Sequence, residues 1–252
     1  MAEQKDTSMN EQSMELGGLA CHVIDSLPSG QKPSLAVILC HGFGATGTDL
    51  VSLGPELLRL EPELCSSVRF FFPAAPLSLD EFGMHGSRAW WPLDVEQLAA
   101  AIDRGEVRDL RNDVPPGLVE ARKLLLAMVE ELCETTGLGI ERVVFGGFSQ
   151  GAMVATDVAL RLPERPAGLC IFSGTLLCQS EWRDLLVRRG PLPVLQSHGR
   201  QDPLLPFSVA EQLRELMTEA GMPVQFLPFD GPHTIPFAAV EQFAAFLRGF
   251  VS

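Results

Sequence analysis

Short apolar runs recur along the chain with amphipathic stretches between them: LAVILC (35–40), VRFFF (68–72), RVVFGGF (142–148), GLCIF (168–172), PVLQS (193–197) and VQFLPF (224–229). Their apolar residues run continuously instead of alternating, which is how a strand buried on both faces reads, so these runs predict parallel strands of an inner sheet. Leu118, Ala121, Leu125, Met128, Val129 and Leu132 fall at helical spacing, as do Val209, Leu213, Leu216 and Met217. Ser208 and Glu211 read as a capping box at the start of the second helix. Val240, Phe243, Phe246, Leu247 and Phe250 form a one-sided stripe suited to packing on the sheet. Residues 19–27 read as an antiparallel edge strand placed before the first strand–helix unit.

Strand and helix in alternation predict an α/β fold with a mostly parallel sheet, whose functional groups gather at the carboxyl ends of the strands. Residues 19–252 are expected to form one domain, preceded by a disordered tail over residues 1–18. One stretch breaks the rhythm. Residues 74–116 are too long for a simple connection and poor in strand signal, with a short helix expected over 95–101, and connections of this length are often lids or binding loops. Within it, Trp90 and Trp91 need a place to bury their rings, and a substrate pocket is one. Together with Phe82 and Leu93 they are expected to wall an apolar acyl site, while Arg88 is a candidate for a surface ion pair or for a substrate carboxylate.

Composition narrows the partners. With 19 basic against 32 acidic residues the formal charge is −13, which repels nucleic acid and disfavours stable attachment to anionic membranes. The six cysteines fall at irregular spacing with no C-x-x-C pair, so they read as reduced thiols rather than zinc or redox ligands. The N-terminus lacks the basic and apolar regions of a secretory signal, and no apolar run approaches the roughly 20 residues of a membrane helix. A cytoplasmic setting is the expectation, with the oligomeric state left open.

Gly147-Phe148-Ser149-Gln150-Gly151 fits G-x-S-x-G, with a strand running in and a helix running out. A serine at that turn has strained backbone angles, and the flanking glycines avoid the clashes larger residues would make. A serine nucleophile needs a base and an orienting carboxylate. Asp202 follows the strand PVLQS and His233 follows VQFLPF, so Ser149, Asp202 and His233 come in the order used by α/β-hydrolases, each at a strand's carboxyl end. His198 is a rival base, better read as making a structural hydrogen bond within the Asp202 loop. Asp230 is a rival acid, and Asp157 and Asp184 read as charges on helix surfaces. A histidine base implies that activity falls on acidification through about pH 6–7.

HGFGATGTDL (41–50) contains G-x-G-x-x-G, a possible dinucleotide loop. That reading requires a carboxylate at the end of the next strand, where the chain instead has Pro73-Ala74-Ala75-Pro76. Taken in order, HGFGATGTDL, GFSQGA, SGTLL, HGRQDPLLP and GPHTIP resemble the phospholipase/carboxylesterase family of serine hydrolases, which includes acyl-protein thioesterases. The resemblance spans about residues 19–250. It implies an α/β-hydrolase fold, hydrolysis of carboxylic esters or thioesters, and no metal or organic cofactor. It further implies Ser149 as nucleophile, Asp202 as acid, His233 as base, and the backbone N–H groups of Phe43 and Gln150 as an oxyanion hole. In the loop HGFGATGTDL itself, His41 reads as a brace for the bend and not as a reacting group. The chain departs from the thioesterase members at SRAWWPLD and in the Thr234-Ile235-Pro236 segment. A small apolar ester is therefore the expected substrate, with acyl-protein thioesterase or lysophospholipase activity as an alternative and a noncatalytic ligand-binding module as a further one.

Overall fold

The computed structural model describes residues 9–94, 104 and 111–251. Among these residues, ten strands and six α-helices follow one another: β1 (Asn10–Leu16), β2 (Leu19–Asp25), β3 (Leu35–Cys40), α1 (Leu53–Leu60), β4 (Val68–Pro73), β5 (Leu77–Ser78), β6 (Arg88–Ala89), α2 (Leu118–Thr136), β7 (Val143–Phe148), α3 (Gln150–Arg161), β8 (Gly168–Phe172), α4 (Gln179–Arg189), β9 (Val194–Gly199), α5 (Phe207–Glu219), β10 (Val224–Phe229) and α6 (Phe237–Arg248). Eight strands form one sheet in the order β1-β2-β4-β3-β7-β8-β9-β10. From β4 to β10 every pairing is parallel, whereas β2 runs antiparallel to both β1 and β4.

The apolar runs behave as their hydropathy dictates. In β3, Ala36, Ile38 and Cys40 face a core shared with α2, α3, α4 and α5, while Leu35, Val37 and Leu39 face a second core under α1 and α6. A strand with helices on both faces has no polar face to show. β10 is different: it closes one sheet edge and is nearly half-exposed, which explains why Pro228 is tolerated where a central strand would need its N–H.

The sequence expectations fail in three places. Asn10–Leu16 lie inside the expected disordered tail, yet they form the edge strand β1, paired along its length with β2, so that β2 is internal. Its sequence NEQSMEL carries no apolar pattern because six of its seven residues face solvent, and backbone bonding to β2 holds it. Residues 1–8 and the helix expected at 95–101 lie outside the described residues. Thirdly, α5 begins at Phe207 behind Pro206, with no side-chain cap bond, so Ser208 and Glu211 sit within the first turns and make no capping box. Pro206 presets the entry backbone angle itself. Among the described residues, no helix is long and apolar enough to cross a membrane.

Candidate active site

Sheet register brings the loop after β3 beside the turn after β7. Cys40 pairs with Gly147, so two residues further on Gly42 and Ser149 are neighbours, and a Cβ added to Gly42 would lie 3.4 Å from that of Ser149. Ser149 has φ 54° and ψ −120°, in the left-handed half of the map where a side chain is strained. Its N–H bonds Phe172 O at the end of β8 (2.9 Å), and the tight turn into α3 that results is possible only with small residues around it. A Cβ on Gly151 would meet Cys40 O at 2.0 Å, and one on Gly147 would meet it at 2.6 Å. The glycines of G-x-S-x-G thus let α3 start hard against the end of β3.

His233 follows β10 at the sheet edge, and β8 and β9 separate β10 from β7, the strand that leads into Ser149. At about 4.8 Å per strand that is roughly 14 Å. The loop after β10 crosses back over the strand ends. It passes above Gly199, where a Cβ would lie 2.3 Å from Gly231 O and 2.4 Å from Pro232 O. It is then pinned by Ser173 Oγ, which donates to Thr234 O (3.1 Å), and the His233 ring comes to rest 4.7 Å from the ring of Phe148, the residue that precedes Ser149 in the chain.

Asp202 meets His233 there. Its Oδ2 lies 2.6 Å from His233 Nδ1, and its Oδ1 accepts the N–H groups of Leu204 and Leu205, both at 2.9 Å. The carboxylate is fully buried. Burial by itself would raise its pKa, but the bonds from His198, His233 and the Leu205 N–H outweigh that and hold it below the usual carboxylate range. An ionised acceptor at Nδ1 places the hydrogen on Nδ1 and leaves Nε2 bare, the tautomer a general base requires. Asp230, the rival acid, is exposed and lies 3.7 Å from Arg200.

The loop carrying Phe43 is braced from several sides. His41 is buried: its Nε2 accepts the Ala75 N–H (3.0 Å), so Nδ1 carries the hydrogen and donates to Gly42 O (2.8 Å). Burial keeps its pKa below the ordinary histidine value despite the Gly42 bond, so it is neutral and occupied structurally. Gly44 adopts φ 77°, its N–H bonds Arg88 O (2.9 Å), and Arg88 N–H bonds Ala45 O (2.9 Å). A Cβ on Gly47 would lie 2.5 Å from Ala74 Cβ, so the third glycine of G-x-G-x-x-G lets the loop close on the end of β4, where a dinucleotide enzyme would carry its carboxylate. Among the described residues, the N–H groups of Phe43 and Gln150 donate no hydrogen bond, and Phe43 remains partly exposed.

Trp90 and Trp91 do not wall an open pocket. They are 1% and 2% exposed and belong to the core under α2 and α3. Trp90 Nε1 donates to His41 O (2.9 Å), Trp90 N–H donates to Gln150 Oε1 (2.8 Å), and Gln150 Nε2 donates to Trp91 O (2.9 Å). Adjacent tryptophans have enough area to fill a core, and here the excursion carries them inward. Arg88 likewise donates to the carbonyls of Ala75 and Pro76, and among the described residues it makes no ion pair. Phe82 is 76% exposed, and Leu93 packs against the core. The side chain of Gln150 is the positioning residue the sequence reading missed: it stitches the excursion to α3, and nothing local in GFSQG signals a partner about sixty residues away. Asp157 is also misjudged as a surface charge. It is fully buried, paired with Arg122 and with Arg161 (3.0 Å), and accepts Trp182 Nε1–H (2.9 Å).

A family model described as Phospholipase/Carboxylesterase matches residues 21–250. The chain is similar to acyl-protein thioesterase 1 of Eremothecium gossypii (34% identical over 191 residues, 75% of this chain and 74% of that protein). It is also similar to acyl-protein thioesterase 1 of Gibberella zeae (26% over 225 residues, 88% and 92%). Among solved structures, esterase PE8 superposes with a TM-score of 0.74 at 29% identity, covering 90% of this chain and 97% of that one. A carboxylesterase from Mesorhizobium loti shares the fold with a TM-score of 0.70 at 16% identity, covering 95% and 99%. The architecture is that of an α/β-hydrolase.

Proposed function

The chain belongs to the phospholipase/carboxylesterase family and is a hydrolase acting on ester bonds; from that premise we propose that Ser149, His233 and Asp202 form its catalytic triad in a single α/β-hydrolase domain. The observation that supports the reading is the buried Asp202–His233 bond of 2.6 Å, whose imidazole packs on Phe148, the residue before a serine held at φ 54°. In the proposed mechanism His233 Nε2 takes the Ser149 proton as the hydroxyl attacks the acyl carbonyl. Asp202 keeps the imidazole in the required tautomer and stabilises the imidazolium. The tetrahedral oxyanion is received by the N–H groups of Phe43 and Gln150, the latter at the N-terminus of α3 where the helix dipole favours negative charge. The imidazolium then protonates the leaving alcohol or thiol, and water repeats the sequence on the acyl-enzyme.

The substrate read for this site is an ester of a small apolar acyl group. Phe148 lies against His233, and Met84 lies over the loop of the proposed oxyanion hole, its Cε 3.0 Å from where a Gly44 Cβ would stand. These replace Trp90 and Trp91 as candidate acyl contacts. Thioester hydrolysis is the second reading, favoured by the 34% identical relative named acyl-protein thioesterase 1. Six free cysteines accord with a reducing, cytoplasmic setting. Turnover of oxygen esters and thioesters of matched acyl length separates the two substrate readings. Ser149→Ala is expected to abolish both activities and fluorophosphonate labelling while leaving the thermal midpoint within a few degrees; retained turnover of p-nitrophenyl acyl esters overturns the nucleophile assignment.

A further inference from the structure

The penultimate residue of β9 is a histidine with no part in the mechanism proposed for the triad. His198 is fully buried, and its Nε2 lies 2.8 Å from Leu205 O and 3.3 Å from Asp202 Oδ2. A carbonyl oxygen only accepts, so Nε2 carries the hydrogen, directed between the carbonyl at one end of the 202–205 loop and the carboxylate at the other. Oδ2 is thus faced by two imidazole nitrogens, while Oδ1 takes the two backbone N–H groups.

The second ring nitrogen sharpens the case. His198 Nδ1 is buried with no hydrogen-bond partner among the described residues. A buried unpaired polar atom costs about 1–3 kcal/mol, so a side chain serving only to fill this space does better without it. Phe207 packs on the ring with centroids 6.3 Å apart, an apolar neighbour that a phenyl ring at position 198 would suit equally well. What an imidazole adds to a phenyl ring here is the donor at Nε2.

We propose that His198 is a positioning residue for the acid of the triad, its Nε2–H clamping the 202–205 loop so that Asp202 Oδ2 is held in line with His233 Nδ1. The inference rests on the triad reading of Asp202. Its action is indirect, since His233 stands between it and the reacting serine. It also gives a reason for the sequence HGRQDPLL: His198 and Asp202 meet across the turn that follows β9, while Gly199 leaves room for the His233 loop above.

The test is a set of variants of the full chain assayed with p-nitrophenyl butyrate, kcat and KM being measured separately, with thermal midpoints alongside. His198→Phe keeps the ring and removes the donor. It is expected to lower kcat by on the order of ten- to a hundred-fold, as a misplacement near 1 Å does, at nearly constant KM. His198→Gln, whose amide nitrogen reaches the Nε2 position, is expected to recover most of the rate, whereas His198→Asn, too short to reach it, is not. In an Asp202→Asn background, His198→Phe is expected to cost nothing further, because the group it positions is gone. Full kcat in His198→Phe while Asp202→Asn is crippled overturns the inference, as does an equal fold-loss in both backgrounds. If His198→Phe does not fold, the Gln and Asn variants decide, and equal rates in those two overturn it. Undiminished activity of Asp202→Asn alone refutes the triad reading itself, a distinct result.

Discussion

Replacing Gln150 with leucine removes a pair of buried hydrogen bonds and shortens the side chain by one atom. Gln150 is 2% exposed, its Oε1 holds the Trp90 N–H at 2.8 Å, and its Nε2 holds Trp91 O at 2.9 Å. In Gln150→Leu both backbone groups stay buried and lose their partners, at about 1–3 kcal/mol each, or about 2–6 kcal/mol together. Against the 5–15 kcal/mol typical of a folded domain, that is a large and measurable fraction. The damage extends to the site through Trp90, whose Nε1 holds His41 O at 2.9 Å, immediately before the Gly42-Phe43 segment. Once the Trp90 backbone relaxes, the loop bearing the Phe43 N–H loses a brace, and a shift of about 1 Å there costs up to about a hundred-fold in rate. Urea titration is expected to show a lower midpoint at unchanged slope, and kcat/KM is expected to fall by at least ten-fold. Gln150→Glu keeps an acceptor for the Trp90 N–H but turns a second acceptor toward Trp91 O, so at neutral pH it is expected to be no more stable than the leucine variant. A leucine variant within about 0.5 kcal/mol of the parent, the range of ordinary surface substitutions, and with undiminished kcat/KM, would show that these bonds neither support the fold nor brace the loop.

Four further outcomes follow from the packing and electrostatics. Gly151→Ala puts a Cβ 2.0 Å from Cys40 O, and since both partners are backbone, α3 must move away from β3; a stability loss of about 1–3 kcal/mol or more and a fall in kcat are expected, checked by thermal unfolding and ester turnover. Asp157→Asn strips the buried counterion from Arg122 and weakens the hold on Arg161, and is expected to cost about 3 kcal/mol by urea titration, the low end for a broken buried pair because both guanidinium groups keep some solvent. His41 has a folded-state pKa below its unfolded value, so the unfolded chain binds the proton first and stability falls as pH drops from about 6.5, a slope that His41→Gln is expected to flatten. Asp202 adds a second acid-sensitive contribution. Its depressed pKa means stability present above about pH 4 and lost below it, measurable as a further drop in the urea midpoint that Asp202→Asn lacks.

The sequence determined the features whose causes are local. The runs from LAVILC to PVLQS are strands because largely apolar segments are satisfied inside, whereas VQFLPF closes the sheet edge only partly buried; the helix periodicities at 118–132 and 209–217 fall within α2 and α5 because one apolar face needs a core. The Ser149 turn was legible because strain and crowding at a strand-to-helix corner demand glycine on both sides, a requirement written within five residues. Tertiary structure decided everything that depended on a distant partner. NEQSMEL became a strand because β2 offered it a free edge, although its side chains carry no apolar pattern. Trp90 and Trp91 turned into the core because Gln150 and His41 supply the polar partners that tryptophan burial needs. Asp157 went inside because Arg122 and Arg161 were there to meet it. The path of His233 across two strand ends rested on Gly199 and Ser173, residues unremarkable in sequence whose roles exist only where loops cross. A hydropathy pattern records which residues leave water; it does not record which groups they will find there, and at this site those meetings determine where each side chain ends up.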